Sequence, residues 1–154
     1  MNIRAFVATI AITAAAALAP SANAFTSDEQ RLFTALENAG VSSTIGECET
    51  DRAYGFYVPS ENRIHICDNV ATTTQQQWET LRHEAVHAAQ RCVNPSMAFT
   101  VTTSQFLMAN GRQSDWSFIQ EAYDREDWAI ELEAFTLMRS SNSEIANLVS
   151  NACG

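Results

Sequence analysis

The sequence has no lysine, only three prolines, five glycines and three histidines, and no Cys-x-x-Cys pair. Without lysine, nine arginines face 18 carboxylates, a formal charge of −9. Such a surface repels nucleic acid and anionic headgroups, so no nucleic-acid partner is expected. The missing Cys-x-x-Cys removes the common thiolate zinc clusters and dithiol redox motifs. The longest apolar run, Ala5 to Ala19, falls short of the roughly 20 residues that a membrane-spanning helix needs. No repeat, low-complexity tract or linker interrupts the remainder, and one domain is expected.

That apolar run follows Arg4 and precedes Pro20 and the small-residue triplet Ala22-Asn23-Ala24. The pattern is that of a signal peptide over residues 1–24. Its removal leaves 154 − 24 = 130 residues, 25–154, with eight arginines and 18 carboxylates. The expected destination is periplasmic or extracellular, with no stable membrane insertion after cleavage. Four cysteines remain, and an even number in an exported chain predicts two disulfides. Three pairings are open. Cys48–Cys67 closes a loop around a predicted hairpin and Cys92–Cys153 ties the C-terminus to a central helix, so these two are favoured.

A Ser27-x-x-Gln30 capping box, with Leu32, Phe33, Leu36 and Ala39 at helical spacing, predicts a helix that Gly40 stops. Residues 41–51 read as a loop or short strand. Residues 54–58 and 63–67 read as the two strands of an antiparallel hairpin. A second box, Thr74-x-x-Gln77, opens a helix to about Cys92, ended by Asn94-Pro95. The stretch 98–110 is ambiguous between helix and strand. Helical patterns follow over about 115–140, broken near Tyr123, with Trp128, Leu132, Phe135 and Met138 as the apolar face, and over 143–152. The expected fold class is α+β, mainly helical, with a small antiparallel hairpin or sheet packed on the central helix.

That helix carries His83-Glu84-x-x-His87. Residues i and i+4 share a helix face, so the two imidazoles converge on one ion, and Glu84 stands beside them without being needed as a ligand. Zinc lowers the pKa of a bound water toward about 7, and a neighbouring carboxylate takes its proton as the water attacks a carbonyl carbon. His-Glu-x-x-His is the pattern this chemistry requires. One Zn2+ per chain is the expected cofactor, with Glu84 as general base and then general acid.

A third ligand is needed. The extended metzincin pattern requires Gly at 90 and His at 93, where this chain has Gln90 and Val93. The remaining histidine, His65, lies on the hairpin. A carboxylate from the Trp128–Phe135 segment is preferred, where Glu131 and Glu133 sit among apolar residues. Two residues apart on a helix, they diverge by roughly 200° and cannot both face the metal.

Together the two stretches, about 78–90 and 128–135, resemble the gluzincin type of zinc metallopeptidase. The resemblance implies a third ligand from the first Glu of a later-helix segment, here Glu131, leaving Glu133 and His65 as alternatives. Phe135 stands where the family has an Asp that orients a ligand imidazole. Asp124, Asp127 or a backbone carbonyl is left to substitute. The resemblance also implies hydrolysis of a peptide or protein substrate, oxyanion stabilisation by Tyr123, Tyr54, Tyr57 or His65, and a sheet edge, expected at Arg63–Cys67, that binds substrate as an added strand. A competing expectation is a non-catalytic exported module that keeps the fold or the zinc site.

Overall fold

The computed structural model describes residues 25–94, 99–100 and 104–154. The expected signal peptide, and residues 98 and 101–103 of the ambiguous stretch, lie outside the described residues.

Helix α1 (Ser27–Asn38) starts one residue earlier than its sequence signal. Thr26 is the N-cap and Glu29 closes the box, because the Glu29 carboxylate reaches back to the Thr26 N–H at 2.7 Å. Its end is a Schellman turn. Gly40, at φ +71°, lets the Val41 N–H reach the Leu36 carbonyl where a side chain would be strained.

Strands β1 (Ser42–Gly46), β2 (Gly55–Val58) and β3 (Arg63–Cys67) form a mixed sheet in the order β1-β3-β2. The expected antiparallel hairpin is β2–β3; β1 adds to it in parallel. Strand β3 is therefore central, and the expectation that it forms the open edge is wrong: β1 claims its other side. Ile64 and Ile66 point into the core, while His65 points to the opposite face, as strand alternation requires. At Gly55 the sheet touches the helix beneath it: an added Cβ would sit 2.6 Å from the Thr80 methyl and from the His65 carbonyl oxygen.

Helix α2 (Thr74–Val93) is also boxed one residue early, by Thr73 and Gln76. It is the central element, packed against β2, β3, and two later helices, α5 (Trp128–Leu137) and α6 (Asn142–Cys153). Ala85, Ala88 and Ala89 are fully buried and let these neighbours approach. Of the ambiguous stretch, Ser104–Asn110 is helical, as α3, while residues 99–100 are not, and α4 (Gln113–Ala122) is separated from α5 at Tyr123, as expected.

The core joins Leu32 and Leu36 of α1, Ile64 of β3, Leu81 and Val86 of α2, and Ile145 and Val149 of α6. Each contributes about 1.5–3 kcal/mol by leaving water. Asp28 locks α1 to α6 by accepting the Asn142 and Ser143 N–H groups and the Ser143 hydroxyl. The disulfides are Cys48–Cys67 and Cys92–Cys153, the favoured pairs. No helix among the described residues is long and apolar enough to cross a membrane.

Candidate metal centre

Helical geometry brings His83 and His87 to one face of α2, and α5 lays Glu131 across them. His83 Nε2 and His87 Nε2 are 3.1 Å apart, and Glu131 approaches them through Oε2 at 3.3 Å and Oε1 at 3.4 Å. All three residues are buried. Ligands at 2.0–2.1 Å from a tetrahedral zinc stand about 3.3–3.4 Å apart, close to these separations, with one Glu131 oxygen turned to each imidazole. Among the described residues, Glu131 Oε2 is also the one buried side-chain oxygen or nitrogen that takes part in no hydrogen bond. Its approach to His83 has ion-pair distance without hydrogen-bond alignment. An orphaned buried oxygen costs about 1–3 kcal/mol, and a cation bound there would remove that cost. The residues fit a zincin-type metal site.

The other candidates separate cleanly. Glu133 is 1% exposed, but it faces away from the triangle, accepting hydrogen bonds from Gln90 Nε2 at 2.8 Å and from the Thr100 N–H and hydroxyl at about 3.0 Å. His65 is on the far face of the sheet, bonded to Thr44 Oγ1 at 2.8 Å and stacked on Phe56. Neither joins the cluster, and His65 cannot reach an oxyanion there. Tyr57 spends its hydroxyl on Asn62 Oδ1, 2.7 Å away, and Tyr54 is exposed. Glu84 is buried on α2.

The family profile described as a domain of unknown function, DUF8637, matches residues 24–153. The chain belongs to the DUF8637 family. No curated protein and no solved structure matches it.

In this DUF8637 chain the electrostatics tie a tyrosine to the same cluster. Burial, then the charges of Glu131 and Glu84, hold the Tyr123 phenol well above its usual pKa, so it remains a hydrogen-bond donor. Burial opposes charge on both His87 and Glu131, yet each stabilises the other. The adjoining Glu131 carboxylate, the Glu84 charge and the Gln90 amide push His87 up to about 9, and the imidazoles of His83 and His87 hold Glu131 down at about 2. Phe135 is not a gap in the site but its wall: its ring meets His83 edge-on at 4.6 Å, with Phe118 and Tyr123 around it.

The imidazole support expected from Asp124, Asp127 or a backbone carbonyl comes instead from Gln90, whose Oε1 is 2.8 Å from His87 Nδ1. In the sequence, Gln90 stands out only as a residue that breaks the metzincin pattern. Its position was a usable signal: an amide at i+3 from His87, directly after Ala85, Val86, Ala88 and Ala89. The apolar face expected on α5 is also revised. The helix buries Glu131, Glu133, Ala134, Thr136 and Leu137, because both carboxylates find polar partners inside, while Leu132 and Phe135 remain half-buried.

Proposed function

We propose that this DUF8637 chain is an exported zinc-dependent peptidase of gluzincin type. The observation that carries the reading is the buried triangle of His83, His87 and Glu131 with Glu84 beside it on the same helix. These three would hold zinc, which when bound supplies a Lewis acid that polarises a carbonyl and makes water a nucleophile near neutral pH. Glu84 takes the proton of the attacking water and returns it to the leaving amine. The Tyr123 phenol donates to the oxyanion that develops on the scissile carbonyl.

Strand β2, not β3, is the edge suited to an extended substrate. Because the Cys67 N–H bonds the Tyr54 carbonyl, alternation turns the backbone groups of Gly55 and Tyr57 away from β3. Gly55 also rides on Thr80, one turn ahead of His83. A peptide added there as a strand would pass close to the cluster. Export is supported by the N-terminal pattern and by two disulfides, which suit an oxidising compartment.

The alternative, a non-catalytic module with a structural zinc, draws on the low exposure of the site, 6–8% for His83, Glu84, His87 and Glu131. One comparison separates them. The parent and Glu84→Gln are loaded with zinc, assayed for metal by elemental analysis and incubated with a peptide library. Equal zinc with cleavage by the parent alone supports the peptidase; equal zinc with no cleavage by either supports the module.

A further inference from the structure

Gln90 is fully buried and its three hydrogen bonds leave it no rotational freedom. Its Nε2 donates to the Ile130 carbonyl at 3.0 Å and to Glu133 Oε2 at 2.8 Å. A carbonyl and a carboxylate oxygen are acceptors, so the NH2 end must face them and Oε1 must face His87. An oxygen can only accept from the imidazole. The Nδ1 of His87 therefore carries a proton, and its Nε2, the atom turned to His83 and Glu131, is the nitrogen left with a lone pair once the ring is neutral.

From this geometry we infer that Gln90 is a positioning residue that fixes His87 as an Nε2 ligand, and that Glu133 acts one step further out by fixing Gln90. The inference rests on the zinc reading. Glu133 also receives the N–H and hydroxyl of Thr100. The relay thus runs from α2 through α5 to the chain between α2 and α3. It fills with an amide and a carboxylate the role that Phe135 cannot fill.

The experiment measures zinc affinity by competition with a chromogenic chelator in the parent, Gln90→Leu, Gln90→Glu and the double variant Gln90→Glu with Glu133→Gln. Long-range nitrogen–proton NMR of the zinc-loaded parent reads which His87 nitrogen is protonated. Loss of an outer-shell partner costs about 10–100-fold in metal affinity, and that is the loss expected for Gln90→Leu. Gln90→Glu alone sets two carboxylates face to face and weakens binding; the double variant restores an acceptor to His87 with a donor behind it and binds more tightly than Gln90→Glu. The parent spectrum shows Nδ1 protonated and Nε2 bound to metal. Should Gln90→Leu misfold, that spectrum and the two Glu-bearing proteins still decide. Zinc affinity in Gln90→Leu equal to the parent, coordination through Nδ1, or a double variant no better than Gln90→Glu overturns the inference alone. A parent that binds no zinc overturns the zinc reading and this inference with it.

Discussion

Replacing Glu131 by Gln conserves volume but removes the charge that closes the triangle. In the parent, zinc at 100 times its dissociation constant stabilises the fold by about 2.7 kcal/mol. At about 3–5 °C per kcal/mol for a domain of this size, that is a rise of about 8–14 °C in Tm. Glu131 stands 3.3 and 3.4 Å from the two imidazoles, so its loss should weaken zinc by at least the roughly 10–100-fold seen for outer-shell partners. At the same zinc concentration the gain then falls to about 1.4 kcal/mol for a tenfold loss and about 0.4 kcal/mol for a hundredfold loss. The expected rise is at most about half that of the parent. The assay is differential scanning calorimetry with and without zinc, using the difference between paired scans, because Glu131→Gln also removes the carboxylate partner of His87 in the metal-free protein. His65→Ala is the control, since His65 lies on the far face of the sheet and should leave the zinc shift unchanged. A full parental shift in Glu131→Gln would refute Glu131 as the third ligand, and a shift abolished by His65→Ala would refute the geometry of the site.

Tyr123→Phe should keep zinc binding and lower kcat by about 10²–10³-fold, the usual consequence of losing one oxyanion donor; unchanged kcat on any cleaved peptide would remove Tyr123 from the mechanism. Breaking Cys92–Cys153, whose cysteines are 61 residues apart, should cost about 4 kcal/mol by loop entropy, against about 3 kcal/mol for the 19-residue separation of Cys48–Cys67. Urea unfolding of the paired Cys→Ser variants checks the order, and a larger loss at Cys48–Cys67 would contradict it. Hydrogen bonds at the start of α6 lower the pKa of both Asp28 and Glu144 below their ordinary values of 3.8 and 4.5. Their contribution is complete above those values and lost as pH falls through the depressed folded ones, so Asp28→Asn should be less stable than the parent at pH 6 and lose less on acidification. Parallel acid limbs in pH-dependent melting would show that Asp28 carries none of this dependence.

What the sequence made legible was local. His83 and His87 are one helical turn apart, so their convergence follows from helix geometry alone. The break between α4 and α5 and the hairpin loop spanned by Cys48–Cys67 also follow from short-range patterns. The 128–135 segment stood out as an acidic pair among apolar residues, but that Glu131 rather than Glu133 joins the two histidines was legible only through the family resemblance, since nothing short-range links α5 to α2. Two features had no local trace. The parallel pairing of Ser42 with Arg63 makes β3 central through a connection that includes β2, and no turn signal announces it. The Gln90–Glu133 bond joins residues 43 apart, so Gln90 read as a failed motif position and Glu133 as a spare ligand. The periodicity of α5 misled for a related reason: its polar residues lie inside because their partners do.

The surroundings of α2 explain why so many polar groups are buried there. A helix on a protein surface can turn its polar stripe to water, but α2 is enclosed by the sheet, α5 and α6, and Thr80, His83, Glu84, His87 and Gln90 are all buried. Each must find a partner within the protein or incur the cost of desolvation. The other buried positions of α2 include the apolar Leu81, Ala85, Val86 and Ala88, and the Cys92–Cys153 bridge ties α2 to α6, which the Asp28 joint also fastens to α1. The side facing α5 brings imidazoles and an amide against two carboxylates. Gln90 and Glu133 satisfy one another, whereas the triangle of His83, His87 and Glu131 keeps an unsatisfied oxygen. An apolar exchange at those three positions would stabilise a purely structural helix at less cost than leaving a buried carboxylate short of partners. A cation bound there would satisfy that oxygen and would tie the stability of the central helix to the same ion that the proposed chemistry needs.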